Sequence, residues 1–440
     1  MIPILIGKDA GREKILRQRG MLGAAVSPAL LARIEQTFGE ALTPEQAVAR
    51  ILADVRARGD VALRDWTRTL DRVDAQTVVI SQAEIDAAYA ETPRAVRESL
   101  ELAAARIRAF HEKQKPTSWL DWHDQAALGQ KFTPLARVGI YVPGGTAPLP
   151  SSLLMAAIPA QVAGVREIVV ASPPRIAPAI LAAAKIANVL RVYAMGGAQS
   201  IAALAFGTES VARVDKIFGA GGLFTTIAKR QVFGIVGIDG LYGPTETLLV
   251  ADDAANPAWC AADLLAQAEH DELATSILIT PSRELADAVA HHIQSQIVHL
   301  SRREIIAKSL ASQGALIVVE NLDQALELAN AFAPEHLCLL VRDPFNWVGK
   351  VENAGGVFIG EWTNEALGDY IIGPSHVMPT AGTARFASPL NVNDFVKITS
   401  VFSISARAAR ELGQHAALLA EVEGLTAHAA AIRRRMTNDE

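Results

Sequence analysis

Apolar positions along this chain recur with two periods. In the segment 47–59 (AVARILADVRARG), Val48, Ile51, Leu52 and Val55 fall on one face of a helix, and Gly59 supplies a stop. The segment 97–114 repeats the pattern, so the first 130 residues read as helices. The tail from about Ser405 to Arg435 is rich in Ala and Leu and predicts helix again. Between these ends, short β-branched runs predict strands over 167–171, 191–195, 215–218, 276–280, 315–319 and 357–359. Helices are predicted between them, among them 179–187 and 223–231. Strands that alternate with helices predict parallel sheets with right-handed crossovers. Their uniformly apolar character predicts burial on both faces.

Length adds that one simple core is too few: 440 residues call for two or more domains. A net charge of −6 leaves no electrostatic footprint for nucleic acid or an anionic membrane. The cluster Arg433-Arg434-Arg435 reads as a solvated helix end. Cys260 and Cys338, the two cysteines, cannot build a disulfide framework and suit a reducing cytosol. No secretory signal and no bilayer-length apolar run is read, so a cytoplasmic protein is expected.

Three glycine loops follow predicted strands or β-branched runs: Pro143-Gly144-Gly145, Gly196-Gly197-Ala198-Gln199, and Gly219 to Gly222. That edge of an open α/β sheet is where ligands bind and helix N-termini meet anions. None is a GxGxxG followed by an acidic residue, and singly each reads equally well as a tight turn.

Four of the ten histidines sit in distinctive polar settings. Gln267 and His270 are three residues apart at the end of a helical run (ADLLAQAEHD) and share a face that could hold one edge of a metal site. A capped helix end is the plainer alternative. Glu335-His336 follows Pro334 at a helix–strand junction, where two adjacent proton carriers can face a cleft or lie in an exposed turn. Asp369 and His376 lie in an irregular segment set by Gly368, Gly373 and Pro374, and Glu423 and His428 flank Gly424 near the C-terminus. Gln267, His270, Asp369 and His428 together form a mixed N/O set suited to four-coordinate zinc. Cys338 lies two residues after His336, on the same side of a strand, but its apolar run (LCLLV) suits a buried, inert thiol.

The order and spacing of VGIYVPGG, GGAQSIAALAFGT, GPTE, DLLAQAEHD, APEHL, GDY, GPSHVMPT and EGLTAHAAAI resemble histidinol dehydrogenases over essentially the whole chain. The resemblance implies an α/β fold of two incomplete Rossmann-like parallel-sheet domains with small helical terminal segments, in an intertwined homodimer. It implies a helical segment 1–38, a main domain from 39–137 and 247–390, a second domain 138–246, and a helical tail 391–440. One zinc per site is implied, bound by Gln267, His270 and Asp369 of one subunit and His428 of the other, positioning the substrate. L-histidinol is oxidised to the aldehyde and then to L-histidine with two NAD, His336 taking the alcohol proton and Glu335 activating water. Thr245, His376 and Glu423 match substrate-contacting positions, which also include Gln267, His270, His336, Asp369 and His428. Tyr141 and Gln199 match cofactor-contacting ones.

Three positions depart from the family. Gly222 stands where an asparagine usually contacts NAD, Thr245 where a serine is usual, and Ser375 where an asparagine precedes the loop histidine. The last two are expected to reshape the substrate pocket. Two other functions stay open on the sequence: a family member that oxidises another polar primary alcohol, such as a sulfonated diol, and a zinc hydrolase or zinc-binding protein without redox chemistry. An anionic substrate calls for Arg or Lys in the pocket. Lys229 and Arg230, after the last glycine loop, are the candidates, but a solvated helix face is the reading preferred for them.

Overall fold

The computed structural model describes residues 2–17, 26–74, 76–123, 126–144 and 148–436. In chain order its strands are β1 (Ile4–Ile6), β2 (Val79–Ile80), β3 (Trp119–His123), β4 (Ala126–Pro134), β5 (Arg137–Tyr141), β6 (Glu167–Ser172), β7 (Arg191–Ala194) and β8 (Lys216–Phe218). They continue with β9 (Gly237–Ile238), β10 (Glu246–Ala251), β11 (Thr275–Thr280), β12 (Ala315–Val318), β13 (His336–Leu340), β14 (Gly356–Ile359) and β15 (Val396–Ile404). One six-stranded sheet, entirely parallel, runs β1-β12-β11-β10-β13-β14. A second runs β2-β7-β6-β5-β8-β9 and is parallel except for β2. A small antiparallel sheet, β15-β4-β3, completes the set.

The central strands of the first sheet are buried on both faces, as their apolar runs predict. Leu249, Leu278, Leu316 and Cys338 enter one core, while Leu248, Ile277, Ile317 and Leu337 enter the core on the opposite face. Successive side chains of a strand point to opposite faces, so two adjacent apolar residues serve two helical layers. The helix Pro44–Arg58 buries the predicted stripe of Val48, Ile51, Leu52 and Val55, and Gly59 ends it at φ +55°. No described helix is long and apolar enough to cross a membrane.

The structure corrects the sequence reading in two places. The first 130 residues are not all helical, since β1 edges the first sheet and β2 the second, and β3 and the start of β4 form a hairpin. The tail 391–440 likewise begins with β15, whose sequence VKITSVFSI pairs with the full length of β4. The apolar and polar residues of its VKIT start alternate, the strand period that the helical reading of the tail passed over. The helices of 44–111 also pack on the second sheet: Val48 and Ile51 share a core with Tyr141 and Met195, and Leu100 and Ile107 share one with Ile140 and Val170. Both faces of the second sheet need an apolar cover, which these helices supply, while the helix Arg94–His111 also meets 247–390, where Arg106 donates to the Ile371 carbonyl at 2.8 Å.

Lys229 is not on a solvated face. Its side chain is 2 % exposed and pairs at 2.5 Å with Asp239, itself 1 % exposed. Lys229 Nζ also donates to the Gly219 carbonyl at 2.8 Å, while Asp239 accepts from the Gly219 N–H at 2.7 Å. The pair thus clasps the first residue of a glycine loop from both sides. Removing one partner leaves a buried, uncompensated charge, at a cost of about 3–5 kcal/mol. Lys229→Met is expected to lose that much stability in denaturant unfolding, with part of it recovered in Lys229→Met/Asp239→Leu. Unchanged stability in the single variant would show the pair to be dispensable.

Candidate active site

The site is assembled at the C-terminal end of the helix Leu322–Phe332. Ala333 takes a left-handed conformation (φ +49°), and after Pro334 the chain turns directly into β13. Parallel pairing of β13 with β10 sets His336 opposite Thr247. This register brings the Thr245-Glu246 backbone against Glu335 and His336.

Glu335 is buried, and its Oε2 accepts from the Thr245 hydroxyl at 2.6 Å and from the Glu246 N–H at 3.0 Å. Burial raises its pKa, and His336, Thr245 and Glu246 only partly oppose the rise. His336 is 3 % exposed, with Nδ1 3.0 Å from the Glu246 carbonyl. A carbonyl only accepts, so Nδ1 carries the hydrogen and the neutral ring keeps its lone pair on Nε2. Nε2 has no hydrogen-bond partner and stands 3.6 Å from the Asp369 carboxylate. Burial acts to lower the His336 pKa, yet the Glu335 and Asp369 carboxylates outweigh it and raise it, which makes the neutral ring a stronger proton acceptor.

The remaining residues gather around this pair unequally. Gln267 is buried, and its amide donates to the Thr245 hydroxyl at 2.8 Å. The helix Pro257–Ala268 ends before His270, so Gln267 and His270 do not share a helix face as their spacing predicts; His270 sits on the exposed turn beyond. Asp369 lies in the π-helical turn Gly368–Ile372. Burial acts to raise its pKa, but His336, His376 and His270 together hold it below the ordinary carboxylate range. His376 donates through Nδ1 to the Asp369 carbonyl at 2.7 Å, and its Nε2 lies 3.1 Å from the Ser152 hydroxyl. Ser152 belongs to the helix Pro150–Ala163, which packs on the second sheet, so His376 bridges the two sheet units. Ser375 is 1 % exposed and gives its hydroxyl to the Met155 carbonyl at 3.1 Å, facing the core.

Glu423 and His428 are exposed at the C-terminal helix pair, Ala406–Val422 and Thr426–Arg433. Among the described residues, no three His, Cys, Asp or Glu side chains are grouped closely enough to hold a metal ion. Within one chain, Gln267, His270 and Asp369 supply N and O donors of the kinds zinc accepts, with the His336 Nε2 orphaned beside them. The donor chemistry fits the metal and leaves the set short of its fourth member.

The glycine loops lie at the C-terminal edge of the second sheet. Gly145 falls outside the described residues. Gly219 has φ +104°, and a Cβ there would meet the Tyr141 carbonyl at 2.1 Å, so only glycine lets the loop lie against Tyr141. Gly222 caps the helix Leu223–Val232 at φ −67° with open space around it. The Tyr141 hydroxyl accepts from the Gly197 N–H at 3.3 Å, and Gln199 is fully buried with its Oε1 unpartnered. Ser172, at the end of β6, also buries an unpartnered hydroxyl. Orphaned polar atoms at this edge fit a polar ligand lying across it. Sequence reasoning passed over Glu246, Lys229 and Asp239 as parts of this framework; Lys229 and Asp239 carry no motif of their own.

Comparison with known proteins gives one answer. A profile of the family described as histidinol dehydrogenase matches residues 36–436. The chain is 53% identical over 417 residues to a histidinol dehydrogenase of Deinococcus radiodurans, covering 93% of this chain and 95% of that protein. It is 47% identical over 431 residues to one of Dehalococcoides mccartyi, covering 97% and 98%. A crystal structure of histidinol dehydrogenase from Elizabethkingia anophelis superposes with a TM-score of 0.90 at 32% identity, covering 99% of this chain and 98% of that one.

Cys338 is buried in β13, and burial pushes its thiol pKa well above the ordinary range. A thiol held protonated in an apolar strand is a poor nucleophile. Cys338→Ala is expected to keep turnover within about twofold while losing about 1 kcal/mol of stability to the small cavity. Loss of turnover with the fold intact would restore the thiol as a catalytic group.

Proposed function

The chain belongs to the histidinol dehydrogenase family, and from that membership we propose that it oxidises L-histidinol to L-histidine through the aldehyde, in two NAD-linked steps with one zinc ion per site. The observation that carries this reading is the Glu335-His336 pair: one imidazole nitrogen is fixed on a backbone carbonyl, the other is free, and a buried carboxylate stands beside it. Removing a hydride from an alcohol carbon needs a base for the hydroxyl proton, a fixed substrate and a nearby acceptor.

His336 Nε2 takes the alcohol proton. Glu335, whose pKa burial has raised, is the stronger base for it and draws the proton from the water that attacks the aldehyde. Thr245 and the Glu246 N–H hold that carboxylate in place between the two steps. Thr245, His376 and Glu423 complete the substrate contacts, and a carboxylate at Glu423 suits the ammonium group of histidinol. Gln267, His270 and Asp369, with His428 of the partner subunit, would hold zinc, which supplies the positive charge that fixes and orients the substrate. Tyr141, Gln199 and the loop ending at Gly222 would hold NAD, which supplies the hydride acceptor. Glycine at 222 forgoes one side-chain hydrogen bond, weakening NAD binding by a factor of about two to ten.

An anionic alcohol is the weaker reading. Lys229 is consumed by Asp239 and Gly219, so it has no charge to offer a sulfonate. A cytoplasmic homodimer with shared sites is the assembly we infer. The single chain leaves Phe402 79 %, Val422 78 % and Trp122 75 % exposed along β15, the C-terminal helix pair and the β3–β4 hairpin. Large apolar side chains exposed to this degree on neighbouring segments suit burial against a partner.

Purified, zinc-loaded protein is expected to generate NADH absorbance from L-histidinol at saturating NAD; absence of turnover overturns the reading. Glu335→Gln should slow the aldehyde step by about a hundredfold or more and the alcohol step by less. Equal losses would count against its role as the water-activating base. His428→Ala protein mixed with Glu335→Gln protein should regain activity as subunits exchange, because one mixed site then carries neither change. No recovery after proven exchange would mean that each site is built from one chain.

A further inference from the structure

Gln199 is oriented by a residue far from it in sequence. Its Nε2 donates to the Asp71 carboxylate at 3.0 Å, across a separation of 128 positions. Asp71 ends the π-helical turn Thr67–Asp71, which follows the helix Asp60–Trp66 on the second sheet. A carboxylate only accepts, so the amide must turn its NH2 toward Asp71 and its oxygen the other way. That oxygen is buried and has no hydrogen-bond partner, and it lies against the Gly197 turn, where a Cβ on Gly197 would meet it at 2.8 Å. The same turn is tied to the Tyr141 hydroxyl.

Resting on the NAD reading above, we propose that Asp71 is a positioning residue for the cofactor site, holding Gln199 so that its amide oxygen accepts a hydrogen bond from a donor group of the dinucleotide. Without Asp71 the amide is free to present either end, and half of its orientations meet the cofactor donor with an N–H. The group recognised must itself carry a hydrogen, which confines it to a ribose hydroxyl, the adenine amino group or the nicotinamide carboxamide and excludes a phosphate oxygen.

The test is a double-substitution cycle read by equilibrium titration of zinc-loaded protein with NAD, separate from turnover. Asp71→Ala is expected to weaken NAD binding about three- to tenfold. In a Gln199→Ala background the same substitution should have no further effect, whereas a merely structural role for Asp71 would persist there. Asp71→Asn, which keeps an acceptor oxygen and the side-chain volume, should restore part of the affinity and guards against a folding defect. In assays, KM for NAD should rise more than kcat falls. ADP-ribose narrows the donor: equal weakening toward ADP-ribose and NAD places it on a ribose or the adenine amino group, and weakening toward NAD alone places it on the carboxamide. Unchanged affinity in Asp71→Ala, or additive losses in the cycle, overturn the inference. Failure of the unsubstituted protein to bind NAD overturns the cofactor reading instead.

Discussion

Parallel pairing of β13 against β10 is the constraint from which the catalytic geometry follows. It fixes His336 beside Thr247 and places the Glu246 peptide between the two reactive side chains. That one residue gives its backbone N–H to Glu335 and, through its own carbonyl, receives the hydrogen of His336 Nδ1. The two functions of the pair are thereby separated by the backbone: the carboxylate is held by donors, and the imidazole is held by an acceptor that fixes its tautomer. A sheet interior is rigid, so neither group has freedom to exchange these partners. Register and chemistry are one arrangement here, because a one-residue slip would turn His336 to the other face.

The second sheet solves a different problem with buried polar groups. Its glycine loop has little side-chain matter to hold it in shape, and Lys229 and Asp239 clasp Gly219 by both of its backbone groups. Asp71 orients Gln199 in the same manner. Each of these groups lies in or beside a core that favours apolar residues, and each is paired with a polar partner, ten residues away for Lys229 and Asp239 and 128 away for Asp71 and Gln199. Such satisfied polar contacts specify loop geometry where packing alone leaves it loose. His376, bonded to Asp369 and to Ser152, ties the two halves of this framework together.

The C-terminal helix pair and the small antiparallel sheet stand apart from these cores. Large apolar side chains remain exposed on them in the single chain, and Glu423 and His428 are exposed there, whereas Gln267 is buried. The same segment that lacks a covering surface thus bears the residues the proposed site lacks. The shared assembly proposed above would meet both needs with one interface.

Much of this was legible in the sequence. Apolar runs alternating with helices announced parallel sheet buried on both faces, and the family resemblance divided it into two units. The motifs QAEHD, APEHL and GDY offered Gln267, His270, Glu335, His336 and Asp369 as candidates, to which the resemblance gave roles. The tertiary structure alone decided what sequence periodicity does not encode. Short strands such as β1 and β2 exist because a sheet edge is there to pair with, and their residues carry too few periods to signal it. Lys229 reads as a surface lysine until its Asp239 partner is in place, ten residues away across a loop. Asp71 and Gln199 carry no shared motif, and only the packing of the N-terminal helices on the second sheet makes them neighbours. The sequence determines which groups are available for chemistry. The tertiary structure decides which of them are desolvated, which are paired, and therefore which are free to react.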